Sequence, residues 1–194
     1  APAYRLADLD LIDEGERVDL SLLREVYYPP VTIVALGFER HRIDHPLDGF
    51  GLLVPESEPY RILGSLFMST LFPGRAPSDR ALLSTFVGGS RSPELADEPK
   101  ETLVPMVLDD LGELIGVEGS PEMVDVYRWR RAIPQYEVGY GRILGRLDAL
   151  EENHPGLHFT GSYRDGIAVP DLIAASEQTA DALVGAPSAR STSL

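Results

Sequence analysis

The hydrophobic and polar positions in the first half of the chain fall into short apolar runs. Val31 to Phe38 is apolar and β-branched at its start, and Tyr28-Pro29-Pro30 before it forces an extended approach, so a strand is expected. Phe50 to Val54, Ile62 to Thr70 and Ala81 to Gly88 are further runs separated by Pro, Gly and Ser clusters, the pattern of an antiparallel meander. Val18 to Glu25 reads as a short helix.

The period then changes. From Glu98 to Ile115, Leu103, Met106, Val107, Leu111, Leu114 and Ile115 recur at helical spacing, with Asp109, Asp110 and Glu113 assigned to a solvated face. Pro105 must lie early in this helix or kink it. Met123 to Trp129 reads as a strand, Gln135 to Glu152 and Pro170 to Val184 as helices, and Gly185 to Leu194 as a disordered tail. The expected class is α+β: a mixed, largely antiparallel sheet from Val31 to Gly88, continued by Met123 to Trp129 and covered by the Glu98 and Gln135 helices.

Composition narrows the function classes. A net charge of −14 opposes binding to nucleic acid and a purely electrostatic hold on anionic lipid. Of 17 basic side chains only Lys100 is a lysine, which is compatible with adaptation to high salt or with a biased genome. No cysteine is present, so disulfide and thiolate chemistry are excluded, and no run of about 18 apolar residues suggests a membrane span. No signal peptide is visible, and a cytoplasmic protein is expected.

Several motifs carry little chemistry. Gly139-Tyr140-Gly141-Arg142-Ile143-Leu144-Gly145 approximates a dinucleotide-binding glycine pattern but lacks a buried strand before it, so close helix packing explains it better. His41 and His45 are four residues apart in a loop-like stretch with no third ligand, and no metal site is expected. Ser90 in Gly88-Gly89-Ser90-Arg91 lacks the flanks of a nucleophile elbow and reads as a structural turn.

The C-terminal quarter is more informative. A short apolar strand, Leu157 to Thr160, is expected to run into the glycine-bounded turn Gly161-Ser162-Tyr163-Arg164-Asp165-Gly166 and then into a helix opened by Pro170. Unpaired N–H groups and a positive dipole end at that place suit an anionic or electron-rich cofactor edge.

This turn and the upstream Trp129-Arg130-Arg131-Ala132-Ile133-Pro134-Gln135-Tyr136 resemble the C-terminal flavin-contacting part of the protoporphyrinogen oxidase family, flavoenzymes related in fold to the monoamine oxidases. The resemblance continues through Tyr28-Pro29-Pro30-Val31, Gly49-Phe50-Gly51-Leu52-Leu53-Val54-Pro55, Leu63-Gly64, Leu71-Phe72-Pro73 and Gly88-Gly89. It departs at Glu137 and Val138, at Leu172 where cysteine is common, and at Ala175-Ser176.

The family's opening G-x-G-x-x-G turn is absent, so the chain reads as the C-terminal portion of a larger enzyme, inactive alone. The resemblance implies residues 1–130 as part of a substrate domain and residues 131–184 as the flavin-contacting segment, with the last strand-turn-helix of an FAD-binding domain. It implies FAD as cofactor, held by Trp129, Gly161, Ser162, Gly166, Ile167, Ala168 and Val169. It implies a tetrapyrrole substrate against Phe50, Leu53, Leu66 and Phe86, with oxygen or another electron acceptor. Protoporphyrinogen IX and coproporphyrinogen III both fit, and spacing does not choose among Arg61, Arg75 and Arg91 as a partner for propionates. A homodimer and peripheral membrane association through the missing part are compatible with the same resemblance. The alternatives are a related amine-oxidase-like flavoprotein fragment and a non-catalytic module that binds an apolar ligand.

Overall fold

The structure is a computed structural model that describes residues 1–185. Two compact units are present, one formed by Pro29–Ala132 and the other by Ala1–Tyr28 with the chain from Ile133 on. In packing terms the chain thus divides after Tyr28 and again after Ala132.

The discontinuous unit starts with one helical turn, α1 (Ala3–Leu6), and a two-residue hairpin of β1 (Ile12–Asp13) and β2 (Glu16–Arg17). The expected helix from Val18 shrinks to a 3-10 turn over Ser21–Glu25, which buries Leu22 and Leu23.

The continuous unit is a five-stranded antiparallel sheet. Its strands are β3 (Val31–Glu39), β4 (Gly51–Leu53), β5 (Ile62–Phe67), β6 (Arg80–Gly88) and β7 (Met123–Trp129), in the order β4-β5-β6-β3-β7. The expected Ile62–Thr70 run divides, because after Phe67 the chain turns into a helical turn, α2 (Met68–Leu71). Burial alternates along β3, with Thr32, Val34, Leu36 and Phe38 pointing to one side, and along β6, with Ala81, Leu83, Thr85 and Val87 on that same side.

Helix α3 (Lys100–Ile115) closes this side. Its Leu103, Met106, Val107, Leu111 and Ile115 join Val34, Leu36, Phe38, Ile62, Phe67, Leu83 and Val87 in one apolar core. Each large side chain buried there stabilises the fold by roughly 1.5–3 kcal/mol. An exposed ion pair such as Arg17–Asp10 contributes about 0–1 kcal/mol, so the α3 face holds the sheet. The helix ends at Gly116, whose φ of 66° and N–H bond to Gly112 O (3.1 Å) form a left-handed cap.

Asp110 overturns its assignment to a solvated face. It is only 4% exposed, and its Oδ2 accepts the N–H groups of Arg61 (2.6 Å) and Ile62 (3.0 Å). Its Oδ1 accepts Arg61 Nη2 at 2.6 Å. Asp109 stays largely exposed.

Two helices complete the discontinuous unit. The expected Gln135–Glu152 helix begins only at Gly141, as α4 (Gly141–Asn153), because residues 138–140 form a turn with Gly139 at φ 91°. Its Ile143 and Leu147 pack with Leu22, Leu23, Tyr28 and Tyr163, so they belong to this unit's core and not to the core of the sheet. The expected strand Leu157–Thr160 has no ladder partner among the described residues and is irregular, although Phe159 is buried. Helix α5 (Val169–Gly185) follows, and the rest of the expected disordered tail lies outside the described residues.

Candidate functional site

With α3 on one side of the sheet, strand register defines the other. Leu53 pairs with Gly64, Gly64 with Phe86, Phe86 with Ile33 and Ile33 with Tyr127. Paired residues project to the same side, so one row crosses all five strands. The next row is Gly51, Leu66, Ser84, Ala35 and Asp125. Leu53, Leu66 and Phe86 thus share the face opposite α3, joined by Ile33 and Tyr127.

Phe86 and Leu66 are half-buried there, while Leu53 is 88% exposed. Its Cδ2 lies 3.2 Å from where a Cβ on residue 64 would be, so the glycine lets Leu53 lie over β5. Phe50 stands outside these rows: it is 69% exposed just before β4, and its carbonyl accepts Phe67 N–H (3.1 Å). Trp129, paired with Val31 at the end of β7, tilts against Tyr127 with ring centroids 4.8 Å apart. Trp129 is half exposed and extends the aromatic edge of the same face.

The turn from Gly161 to Gly166 is built separately. Asp165 Oδ2 accepts Gly161 N–H (2.8 Å) and Thr160 Oγ1–H (2.9 Å), closing the loop, and Gly166 takes a φ of 108°. Tyr136 clasps it: its hydroxyl donates to Ser162 O (2.5 Å) and accepts Gly166 N–H (3.0 Å). Tyr140 donates to Tyr163 O (2.5 Å). Tyr163 is fully buried, and burial pushes its hydroxyl up to about 12.

Beyond the clasp, Ile167, Ala168 and Val169 are exposed, and their N–H groups donate to no protein group among the described residues. Ala168 O accepts Leu172 N–H (3.1 Å), so these free donors stand where the 17-residue α5 begins. Such donors fit an electron-rich ring edge. Asp171 in the first turn adds a carboxylate nearby, so any anion held here relies on the N–H groups and not on net charge.

Sequence reasoning did not single out Ile33 or Tyr127 on this face, and it quoted Tyr136 only within the Trp129–Tyr136 segment, without its clasp on the turn. Alternation within β3 marks Ile33, but pairing with Tyr127 depends on register, which the sequence does not display. Among the described residues no group of three His, Cys, Asp or Glu side chains could hold a metal. No helix among them is long and apolar enough to cross a membrane.

Comparison with known proteins gives the chain its family. The chain is 36% identical over 187 residues to protoporphyrinogen oxidase 2 of Arabidopsis thaliana, covering 95% of this chain and 37% of that protein. It is 30% identical over 155 residues to coproporphyrinogen III oxidase of Bacillus subtilis, covering 79% of this chain and 33% of the relative. The chain therefore spans about a third of the length of these relatives. A crystal structure from Exiguobacterium, provisionally assigned as a protoporphyrinogen oxidase, shares the fold at a TM-score of 0.74 and 24% identity, covering 94% of this chain and 39% of that one. The profile of the flavin containing amine oxidoreductases matches residues 12–184, and the chain belongs to that family.

Proposed function

We propose that this chain supplies the substrate-facing sheet and the flavin-contacting turn of an FAD-dependent oxidoreductase that converts protoporphyrinogen IX or coproporphyrinogen III to the porphyrin in haem biosynthesis. The observation that carries this reading is the open row Leu53–Gly64–Phe86–Ile33–Tyr127, an apolar platform broad enough for a flat macrocycle. The names of the relatives support the choice of substrate.

FAD, when bound, supplies hydride acceptance and passes the electrons to oxygen or another acceptor. The chain's residues hold and orient. Ile167, Ala168 and Val169 would hold the electron-rich end of the ring through their N–H groups, which suit the negative charge that reduction adds. Tyr136 keeps the turn in shape through Ser162 and Gly166. Leu53, Leu66, Phe86 and Ile33 exclude water from the macrocycle face, with Tyr127 beside them, while Trp129 is assigned to the flavin, as the resemblance implies. No side chain of this chain is assigned a proton-transfer role. The dinucleotide cradle belongs to another part of the working polypeptide, within which the chain acts.

The test is direct. The intact polypeptide that carries this chain is purified, its flavin content is read from absorbance, and porphyrin formation is followed by fluorescence with each porphyrinogen. Retained FAD and porphyrin formation are expected. Flavin-free protein that leaves both porphyrinogens unchanged overturns the reading.

A further inference from the structure

Spacing does not choose among Arg61, Arg75 and Arg91, and the structure separates them. Arg61 is committed to Asp110, with Nη2–Oδ1 at 2.6 Å. Arg91 donates to Val54 O (3.1 Å) and Ile62 O (2.5 Å), so it braces β4 against β5. Arg75 has no carboxylate or carbonyl partner among the described residues; its guanidinium carbon stands 5.6 Å over the Phe72 ring.

Arg75 lines a recess of about 260 Å³ with Gly37, Pro77, Leu82, Glu122 and Met123. Gly37 pairs with Leu82 and with Met123, in the row beyond Ser84, Ala35 and Asp125 on the face opposite α3. The recess is therefore an end of the platform, about 13 Å along β6 from Phe86 at the usual rise of roughly 3.3 Å per residue. Its acids are already taken. Arg80 binds Glu122 (2.6 Å), Asp79 (2.6 Å) and Glu39 (3.7 Å), which leaves the Arg75 fork as the available cation.

The rest of the platform is hostile to carboxylates. Leu53, Phe86 and Ile33 offer no side-chain donor, and Asp125 in the neighbouring row carries a like charge, its Oδ1 accepting its neighbour Val126 N–H (2.9 Å). A carboxylate pressed there loses water without gaining a partner.

We infer that Arg75 binds a carboxylate arm of the ring substrate, and that this cationic end of the platform favours a tetrapyrrole with carboxylates on one side only, protoporphyrinogen IX over coproporphyrinogen III. This rests on the porphyrinogen oxidase reading above. Protoporphyrinogen IX carries its propionates on adjacent rings and turns vinyl and methyl edges to the apolar rows. Coproporphyrinogen III has a propionate on every ring, and some must face Leu53, Phe86 or Asp125.

The experiment uses the intact flavoprotein with three reduced substrates: protoporphyrinogen IX, its dimethyl ester and coproporphyrinogen III. The native protein is expected to show a kcat/KM at least about tenfold higher for protoporphyrinogen IX than for coproporphyrinogen III. Arg75→Gln is expected to raise KM for protoporphyrinogen IX about tenfold, the loss falling on KM rather than kcat, with flavin content unchanged. The ester, which has no carboxylate, should not distinguish Arg75→Gln from native protein. An unchanged KM in Arg75→Gln, or equal efficiency of the native protein towards both porphyrinogens, overturns the inference. Flavin-loaded native protein that oxidises neither porphyrinogen overturns instead the reading beneath it.

Discussion

Asp110 on α3 and Arg61 at the start of β5 meet through both carboxylate oxygens: Oδ1 accepts Arg61 Nε (3.0 Å) and Nη2 (2.6 Å), while Oδ2 accepts the Arg61 amide (2.6 Å). The Ile62 amide shares Oδ2, so one carboxylate ties the helix to the backbone where β5 begins. Asp110→Ala leaves these amides without a partner, while the guanidinium, 44% exposed, returns to water. The expected loss is about 2–3 kcal/mol, below the usual range for a fully buried pair. Urea unfolding measures it, and a loss under about 0.5 kcal/mol would mean that surface screening dominates this pair.

Gly88→Ala should be costly for a different reason. Gly88 has a φ of 100°, and an added Cβ would stand 2.7 Å from Ala96 Cβ and 2.9 Å from Pro30 O. Neither neighbour is the flexible end of a side chain, so a loss of about 2–3 kcal/mol is expected. Gly49→Ala is the control: nothing lies within 4 Å of its added Cβ, and a change of no more than about 0.5 kcal/mol is expected. Thermal or urea unfolding of the two variants separates strain from mere loss of a glycine.

Burial raises Tyr163 to about 12, and it also raises Tyr140 and Tyr28. An unfolded tyrosine loses its proton near pH 10, so between about pH 10 and 12 the unfolded state binds fewer protons than the folded one. Stability is thus fully present below about pH 10 and falls as pH rises, by roughly 2–3 kcal/mol for Tyr163 alone. The Tyr163 hydroxyl has no hydrogen-bond partner among the described residues. Tyr163→Phe is therefore expected to gain about 1 kcal/mol at neutral pH and to flatten the alkaline decline. Unfolding curves at neutral pH and near pH 11 check both effects, and a steeper decline in Tyr163→Phe would contradict the argument.

The cofactor and substrate surfaces should respond separately in the intact flavoprotein. Ala168→Glu sets a carboxylate beside the free N–H groups of Ile167 and Val169, where a ring becomes anionic on reduction, and is expected to abolish flavin retention. Leu66→Ala removes part of the platform and is expected to leave flavin bound while weakening substrate by about 1–3 kcal/mol. Flavin absorbance and KM report the two. Full flavin occupancy in Ala168→Glu would reduce the turn before α5 to a simple connection.

Strands β3, β6 and β7 were legible in the sequence because apolar runs bounded by Pro and Gly leave few alternatives. Asp110 was legible too, by a signal that its neighbours masked: it lies three residues after Val107 and four after Met106, on the buried stripe of α3. Grouping it with Asp109 and Glu113 put charge ahead of spacing. The Leu157–Thr160 segment has strand composition but no ladder partner among the described residues, and composition does not supply one. The platform itself required register: Leu53, Phe86 and Tyr127 are far apart in sequence, and only the pairing through Gly64 and Ile33 brings them into one row.

The split of the chain into a continuous and a discontinuous unit bears on the order of folding. Where the chain leaves and re-enters, the backbones lie side by side: Ala132 N–H donates to Pro29 O (3.0 Å), and Gln135 N–H donates to Tyr27 O (2.9 Å). Closing a loop of about a hundred residues costs roughly 4 kcal/mol of chain entropy. The sheet unit offsets that cost with its own contacts, and its folded ends then present Tyr27 and Gln135 to each other. Assembly of Leu23, Tyr28, Leu147 and Tyr163 into one core becomes a local event after the sheet forms, and a lesion in β3 or β6 delays both units.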